Sequence, residues 1–172
     1  GGDRPLTALC HAMSVMATSG ISPVGGVENA DIGVTGEAVM LLFMLFALSR
    51  LTFSKDTVTA TQGGLRTDPE FRIGVFIVLA VPLLIFLRHF LGAYDVASMQ
   101  SLSEAAYALW GAVFTVMSFL TTTGFVSEHW IDAQNWSGLN TPGLVLMGLA
   151  LTGGGVATTA GGVKLLRVFA LY

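Results

Sequence analysis

The chain has no charged side chain between Asp132 and Lys164, a stretch longer than a helix needs to cross a bilayer. A membrane-crossing helix takes about 20 apolar residues, each adding roughly 1.5 Å of rise. Residues 73–87 and 105–127 form two more uncharged apolar runs. Only 11% of the 172 residues are charged, against about a quarter in soluble domains. The sequence therefore predicts an all-α polytopic membrane protein.

Two further apolar elements lie in the first third of the chain. Leu6–Ala17 is too short to span a bilayer. Ile32–Phe53 is long enough if Glu37 and Arg50, near its two ends, snorkel to the interfaces. Because the chain starts without Met and stops inside an apolar run, we interpret it as the central part of a longer protein. A single cysteine, Cys10, excludes a disulfide within the chain.

An internal repeat relates two parts of the sequence. At a constant offset of 104 residues, Met13, Ser14, Thr18 and Gly20 match Met117, Ser118, Thr122 and Gly124. Each copy reads as a short helix, a turn rich in hydroxyls with one glycine, and then a long apolar helix. We call Thr18–Ile21 turn A and Thr121–Phe125 turn B.

Charge placement favours re-entrant segments before both turns over membrane-crossing ones. If both segments dip in and return, six of the eight cations share one side, namely Arg50, Lys55, Arg66, Arg72, Lys164 and Arg167. Eight of the eleven acids then share the other, namely Asp3, Glu28, Asp31, Glu37, Asp95, Glu104, Glu128 and Asp132. Since cytoplasmic sides are enriched in Lys and Arg, the pattern predicts repeats of membrane helix, re-entrant pore loop and membrane helix around a pore.

The predicted organisation has three parts. Residues 1–53 hold a pore helix, a filter loop and a membrane helix of one repeat, and residues 54–71 form a cytoplasmic linker. Residues 72–172 hold the next repeat. Its predicted parts are a membrane helix at 72–93, a pore helix at 104–120, a filter at 121–125 and a broken membrane helix at 141–172.

The two turns have the chemistry of a carbonyl-lined cation site. Successive backbone carbonyls can replace the water around a dehydrated cation, and such backbone is tolerated at membrane depth only beside a wet cavity or inside protein. The alternative is that each turn merely ends a buried helix, but two copies in matching context favour the filter. The predicted ion-binding residues, acting through backbone carbonyls, are Thr18, Ser19, Gly20, Ile21, Thr121, Thr122, Thr123, Gly124 and Phe125.

A glycine-rich segment interrupts the last apolar run at membrane depth. Five glycines within ten residues disfavour a helix, at about 1 kcal/mol each relative to Ala. We call residues 153–162 the glycine loop. Their composition predicts a flexible gate beside the conduction path. Close helix packing through small residues is the alternative. The predicted gate residues are Gly153, Gly154, Gly155, Thr158, Thr159, Gly161, Gly162 and Lys164.

Four segments resemble the TrkH/KtrB family of potassium uptake transporters. They are Ala12–Pro23 (AMSVMATSGISP), Leu65–Arg72 (LRTDPEFR), Ser118–Phe125 (SFLTTTGF) and Gly153–Lys164 (GGGVATTAGGVK). They occur in the family's order and cover nearly the whole chain. Where the family's loop often has Cys and Ser, this chain has Gly155 and Thr158.

The resemblance implies a potassium uptake protein of the bacterial inner membrane with four such repeats around one pore. It also implies a homodimer with a cytoplasmic nucleotide-binding regulatory subunit of the TrkA/KtrA type, membrane lipid around it, and no covalent cofactor. The alternative is a cation-coupled secondary transporter with discontinuous helices. A membrane enzyme would need a nucleophile and base or a metal cluster at membrane depth. The sequence provides only Cys10 and His11 as candidates for such a pair, and packing is the better interpretation of both.

Overall fold

The computed structural model describes residues 4–49, 68–92, 102–139 and 141–171, and the regular structure in these ranges is entirely helical. The helices are α1 (Pro5–Ala17), α2 (Gly33–Met44), α3 (Pro69–Gly92), α4 (Leu102–Leu120), α5 (Trp130–Ser137), α6 (Gly143–Thr152) and α7 (Leu165–Ala170). Two short 3-10 turns cover Val27–Asn29 and Leu45–Ala47. Most of the predicted linker, including Lys55 and Arg66, lies outside the described residues, as do Asp3, Arg50 and Asp95.

Two of the described helices are long and apolar enough to cross a membrane. The segment Pro69–Arg88 of α3 has a mean hydropathy of 2.3, and Ser103–Leu120 of α4 has one of 1.2. Only 28% of the α3 segment is buried inside the protein. A soluble core helix of this composition would hide its side chains, whereas Phe76 and Leu84 are more than two-thirds exposed. The outer face of α3 therefore needs an apolar surrounding.

Helix α4 lies at the centre of the described chain. It packs against α2, α3, α5 and α6, and its second half is almost completely buried. The side chains with no exposure there are Phe114, Thr115, Val116, Met117, Ser118 and Leu120. By length α4 could cross a bilayer, but the protein itself forms most of its surroundings.

Several helix boundaries differ from the sequence prediction, and one helix was not predicted. Helix α3 begins at Pro69 rather than at residue 72, because Asp68 Oδ1 accepts a hydrogen bond from the Glu70 N–H (3.2 Å) and caps the helix. The element predicted over residues 32–53 is α-helical only to Met44. Helix α5 was not predicted, because its mixed polar and aromatic residues give no apolar run.

Candidate functional site

The two glycine turns have the same backbone conformation. In turn A, Thr18 and Gly20 have positive φ angles of 49° and 66°, and the matching Thr122 and Gly124 of turn B have 57° and 83°. Threonine rarely takes a left-handed conformation, so two threonines doing so at one repeat position is a specific structural feature. The sequence repeat is thus a repeat of backbone geometry as well.

Each turn closes on its own helix through the same pair of backbone hydrogen bonds. In turn A they join Thr18 N to Val15 O (3.2 Å) and Ser19 N to Ser14 O (3.0 Å). In turn B they join Thr122 N to Phe119 O (3.1 Å) and Thr123 N to Ser118 O (2.8 Å). The partners keep the 104-residue offset of the sequence repeat. The helices α1 and α4 therefore end in the same way.

In turn B the backbone N–H groups and the backbone carbonyls differ in their hydrogen bonding. All five N–H groups of Thr121–Phe125 bond back to α4, the last one through the Ser118 hydroxyl (2.7 Å). Within the described ranges, no hydrogen-bond donor reaches the carbonyls of Thr121–Phe125 or of Thr18–Ile21. These carbonyl oxygens are therefore available to water or to a cation.

The two turns lie against each other. A Cβ on Gly20 would be 2.3 Å from the carbonyl oxygen of Thr123, closer than any side chain permits. A Cβ on Gly124 would meet no atom within 4 Å. The Thr123 carbonyl oxygen of turn B thus lies against the Cα of Gly20 in turn A. The predicted filter residues of both repeats therefore meet in one place.

After turn B the chain turns back along α4. Phe125 N bonds to the Ser118 hydroxyl, and Ser127 N bonds to the Thr115 hydroxyl (3.2 Å). Further back, the His129 ring stacks on the Tyr107 ring at 4.5 Å. We call residues 126–129 the return segment. Its partners move steadily toward the start of α4, so the chain leaves the turn in the direction from which it came.

The first repeat reverses in a similar way. The ring of His11, which is fully buried, shares a hydrogen bond of 2.7 Å between Nε2 and the Ser22 hydroxyl just after turn A. His11 stands 104 residues before Thr115, which holds the second reversal. The same ring also meets Phe125 edge-on at 5.6 Å. These contacts give His11 a packing role.

Glu37 does not snorkel to an interface, and that prediction is wrong. Its side chain is only 1% exposed, and its carboxylate accepts three hydrogen bonds. Oε2 accepts from Trp110 Nε1 (2.6 Å) and the Ser127 hydroxyl (2.9 Å), and Oε1 accepts from the Glu128 N–H (2.9 Å). The donors lie on α4 and the return segment, some 73 to 91 residues away in sequence. Sequence reasoning missed this link because only the fold brings the donors together.

The chain is not helical from Gly153 to Lys164, where the sequence predicts a break. The two ends of the break are pinched together by bonds from Val163 N to Leu151 O (2.8 Å) and from Lys164 N to Thr152 O (2.9 Å). The intervening residues therefore form a compact loop with neighbouring ends.

The glycine loop is bonded to four other parts of the protein. Gly155 N and the Thr158 hydroxyl both donate to Ala47 O, in the 3-10 turn that follows α2, over 3.0 and 3.1 Å. This use of the Ala47 carbonyl accompanies the early end of α2. The remaining bonds run from Val156 N to Glu70 Oε1 (3.0 Å), from the Thr159 hydroxyl to Met16 O (3.2 Å) and from Gly161 N to the Thr122 hydroxyl (2.6 Å).

Lys164 and Arg167 have different surroundings. Lys164 has a φ of 83° where α7 begins, is half-buried, and donates from Nζ to the Ala160 carbonyl within the glycine loop. Arg167 is exposed, as a cation anchoring a helix end would be. The predicted gate residues are therefore contiguous in space, and Lys164 contacts the loop. Glu70, which is buried and also holds the loop, was not among them.

The described chain is thus a helical protein with two membrane-capable helices and two matched glycine turns packed together. Over 99% of its length it is 29% identical to the Trk system potassium uptake protein TrkH of Vibrio parahaemolyticus serotype O3:K6. Over 97% of its length it is 28% identical to the Trk system potassium uptake protein TrkI of Halomonas elongata. The similarity to Trk-type potassium uptake proteins predicted from the motifs is confirmed.

The chain spans 33% of the length of the first relative and 31% of the second. No protein-family model matches it, and no solved structure matches it. The comparison with known proteins therefore rests on these two relatives, and both are named as potassium uptake proteins.

Proposed function

We propose that this chain lines part of a potassium uptake pathway and that the backbone carbonyls of turns A and B contact the ion. The observation that carries the proposal is the division of backbone groups in turn B. Its N–H groups are all held by α4, and its carbonyls have no donor within the described ranges. A site built this way presents neutral oxygens to a dehydrated cation.

The helices preceding the turns suit a cation as well. Both α1 and α4 end at a turn, and the C-terminus of a helix carries a partial negative charge. The side chains of Thr121 and Thr123 share a hydrogen bond of 3.0 Å and are buried, which stiffens turn B behind its carbonyls. Selectivity among cations depends on such fixed oxygens.

In this proposal α1 and α4 are re-entrant pore helices of a multi-pass protein in the bacterial inner membrane. The reversal of the chain along α4 supports the re-entrant path. The similarity to Trk-type proteins supports a homodimer, surrounding lipid and a cytoplasmic nucleotide-binding regulatory subunit as partners, and a transport protein rather than an enzyme. A cation-coupled secondary transporter would need an exchangeable intramembrane acid, and Glu37 is committed to three donors.

Competition between potassium and sodium flux tests the filter. In the complete protein reconstituted in vesicles, Gly124→Ser should reduce discrimination against sodium, because a side chain at a φ of 83° disturbs the carbonyls of turn B. Gly20→Ser should act in the same way. Unchanged selectivity in both variants would sink the assignment of the turns.

The glycine loop is proposed as the gate. It bonds the ends of α1 and α2, the start of α3 and turn B, so it lies where movement would open or close a path. Deleting residues 156–160 should raise basal potassium flux per folded protein and leave selectivity unchanged. If the segment only packs helices together, the deletion should lower folded yield and flux together.

A further inference from the structure

Glu37 lies on α2 of the first repeat, yet all three donors to its carboxylate belong to the second. We propose that Glu37 is a positioning residue that sets the selectivity of turn B by holding the return segment in place. This inference rests on the proposed function, since it assumes that turn B is a filter. It assigns the carboxylate no contact with the ion.

The return segment depends on such outside support. Residues 126–129 have no helical structure of their own, and they connect turn B directly to α5. Ser127 is 1% exposed and is held from both sides, by the Thr115 hydroxyl on its N–H and by Glu37 on its hydroxyl. Glu37 also takes the next N–H, of Glu128. Loss of the two bonds to Glu37 would release Ser127 and Glu128, which follow Phe125 of turn B closely in the chain.

A carboxylate suits this position better than an amide. The indole N–H of Trp110 and the backbone N–H of Glu128 can only donate, and a carboxylate only accepts. A glutamine would turn its NH2 group toward at least one of these donors. A buried donor without an acceptor costs more than an average hydrogen bond contributes, so the mismatch should move the segment.

The reversal after turn A is held by a residue of its own repeat. There, His11 of α1 bonds Ser22 just after turn A. Turn A and its support thus lie within one repeat, whereas turn B depends on a residue of the other repeat. The effect of Glu37 is therefore expected at turn B.

The test uses three variants of the complete protein, reconstituted and assayed for potassium and sodium flux. Glu37→Gln should lower the potassium-to-sodium flux ratio by about tenfold, as expected for a mismatched buried hydrogen bond. Trp110→Phe alone should change the ratio little, because it removes a donor and leaves the bonds to Ser127 and Glu128. The double variant, Glu37→Gln with Trp110→Phe, should recover much of the ratio.

The recovery separates positioning from general stability. In the double variant the amide oxygen can accept from the Glu128 N–H, and no unmatched indole donor is left. The NH2 group can donate to the Ser127 hydroxyl oxygen once that hydroxyl turns its own hydrogen away from residue 37. If Glu37 serves only to stabilise the fold, the two substitutions should lower folded yield additively and the flux ratio should not recover. Glu28→Gln, at an exposed acid of the same repeat, is the matched control.

Each remaining outcome is decisive. If Glu37→Gln fails to fold, Ser127→Ala replaces it, because it removes the same bond at the other end and should also lower the flux ratio. A normal ratio in Ser127→Ala and Glu37→Gln, with a lowered ratio in Gly124→Ser, would overturn the role of Glu37 and leave the filter standing. A wild-type protein that does not discriminate between the two ions would instead remove the proposed function.

Discussion

At the scale of single residues, Gly20 and Gly124 occupy one repeat position but meet different surroundings. Gly20 has the backbone of Thr123 against its Cα, whereas Gly124 faces open space. Both have positive φ angles, of 66° and 83°. A side chain at Gly20 must therefore overcome a backbone clash as well as an unfavourable conformation, and one at Gly124 only the conformation.

This difference predicts unequal losses of stability. Gly124→Ala should cost about 1 to 2 kcal/mol, the penalty of a left-handed conformation with a Cβ. Gly20→Ala should cost clearly more, because the Thr123 carbonyl cannot move without turn B. Thermal unfolding of the purified variants in one detergent measures both. Equal shifts in melting temperature would show that the turns are not in contact.

Residue identities predicted part of this site and missed another part. The repeat of Thr18 and Gly20 in Thr122 and Gly124 located both turns, since backbone geometry is encoded locally. Glu37 was misplaced at an interface, because an acid near the end of an apolar run has many possible surroundings. Its actual partners are 73 to 91 residues away, and no local pattern reports them.

At the scale of elements, the glycine loop bonds the end of α1 and turn B, but it forms different contacts with turns A and B. The Thr122 hydroxyl accepts from Gly161 N, whereas the hydroxyl of the matching Thr18 bonds only the Ala17 carbonyl beside it (2.8 Å). The loop also bonds Met16, in the last turn of α1. Displacing the loop must therefore break a bond to turn B itself.

Thr122→Val should consequently loosen the loop. Valine keeps the branched shape of threonine and removes the acceptor of the Gly161 N–H, which shifts the balance toward a displaced loop by about 1 kcal/mol, or roughly fivefold. Basal potassium flux per folded protein should rise accordingly. Thr18→Val is the matched control, since it carries the same change at the same backbone conformation, and its flux should stay near wild type. Equal flux in the two variants would contradict the link.

The elements that the sequence predicted are those with a strong apolar pattern. The helices α1, α3 and α4 lie where apolar runs predict helices, and the helical break from Gly153 to Lys164 follows from its glycines. Helix α5 was missed because its mixed polar and aromatic residues give no apolar run, and the return segment was missed because bonds to other elements position it.

At the scale of the whole molecule, the reversal along α4 predicts the sidedness of the chain. Residues 104 and 128 should face the same, outer side, because the return segment runs back along α4. In a background lacking Cys10, cysteines at both positions should react with a membrane-impermeant reagent added outside. Labelling of only one of them would mean that α4 crosses the membrane.

A cysteine in place of Arg167 provides the control for sidedness. It lies among the residues expected on the cytoplasmic side, so it should react only after the membrane is made permeable. Outside labelling of this cysteine in sealed vesicles would contradict the predicted orientation.

The bonds of Glu37 also have a consequence for biosynthesis. The chain is made from its N-terminus, so α2 leaves the ribosome before Ser127 and Glu128 exist, since they lie 90 and 91 residues later. In the proposed multi-pass arrangement, the carboxylate needs water or the insertion machinery for solvation until then, because an unpaired acid is costly in lipid. Helix α2 therefore reaches its final position only after the second repeat has been synthesised, which makes assembly of the two repeats a single late event.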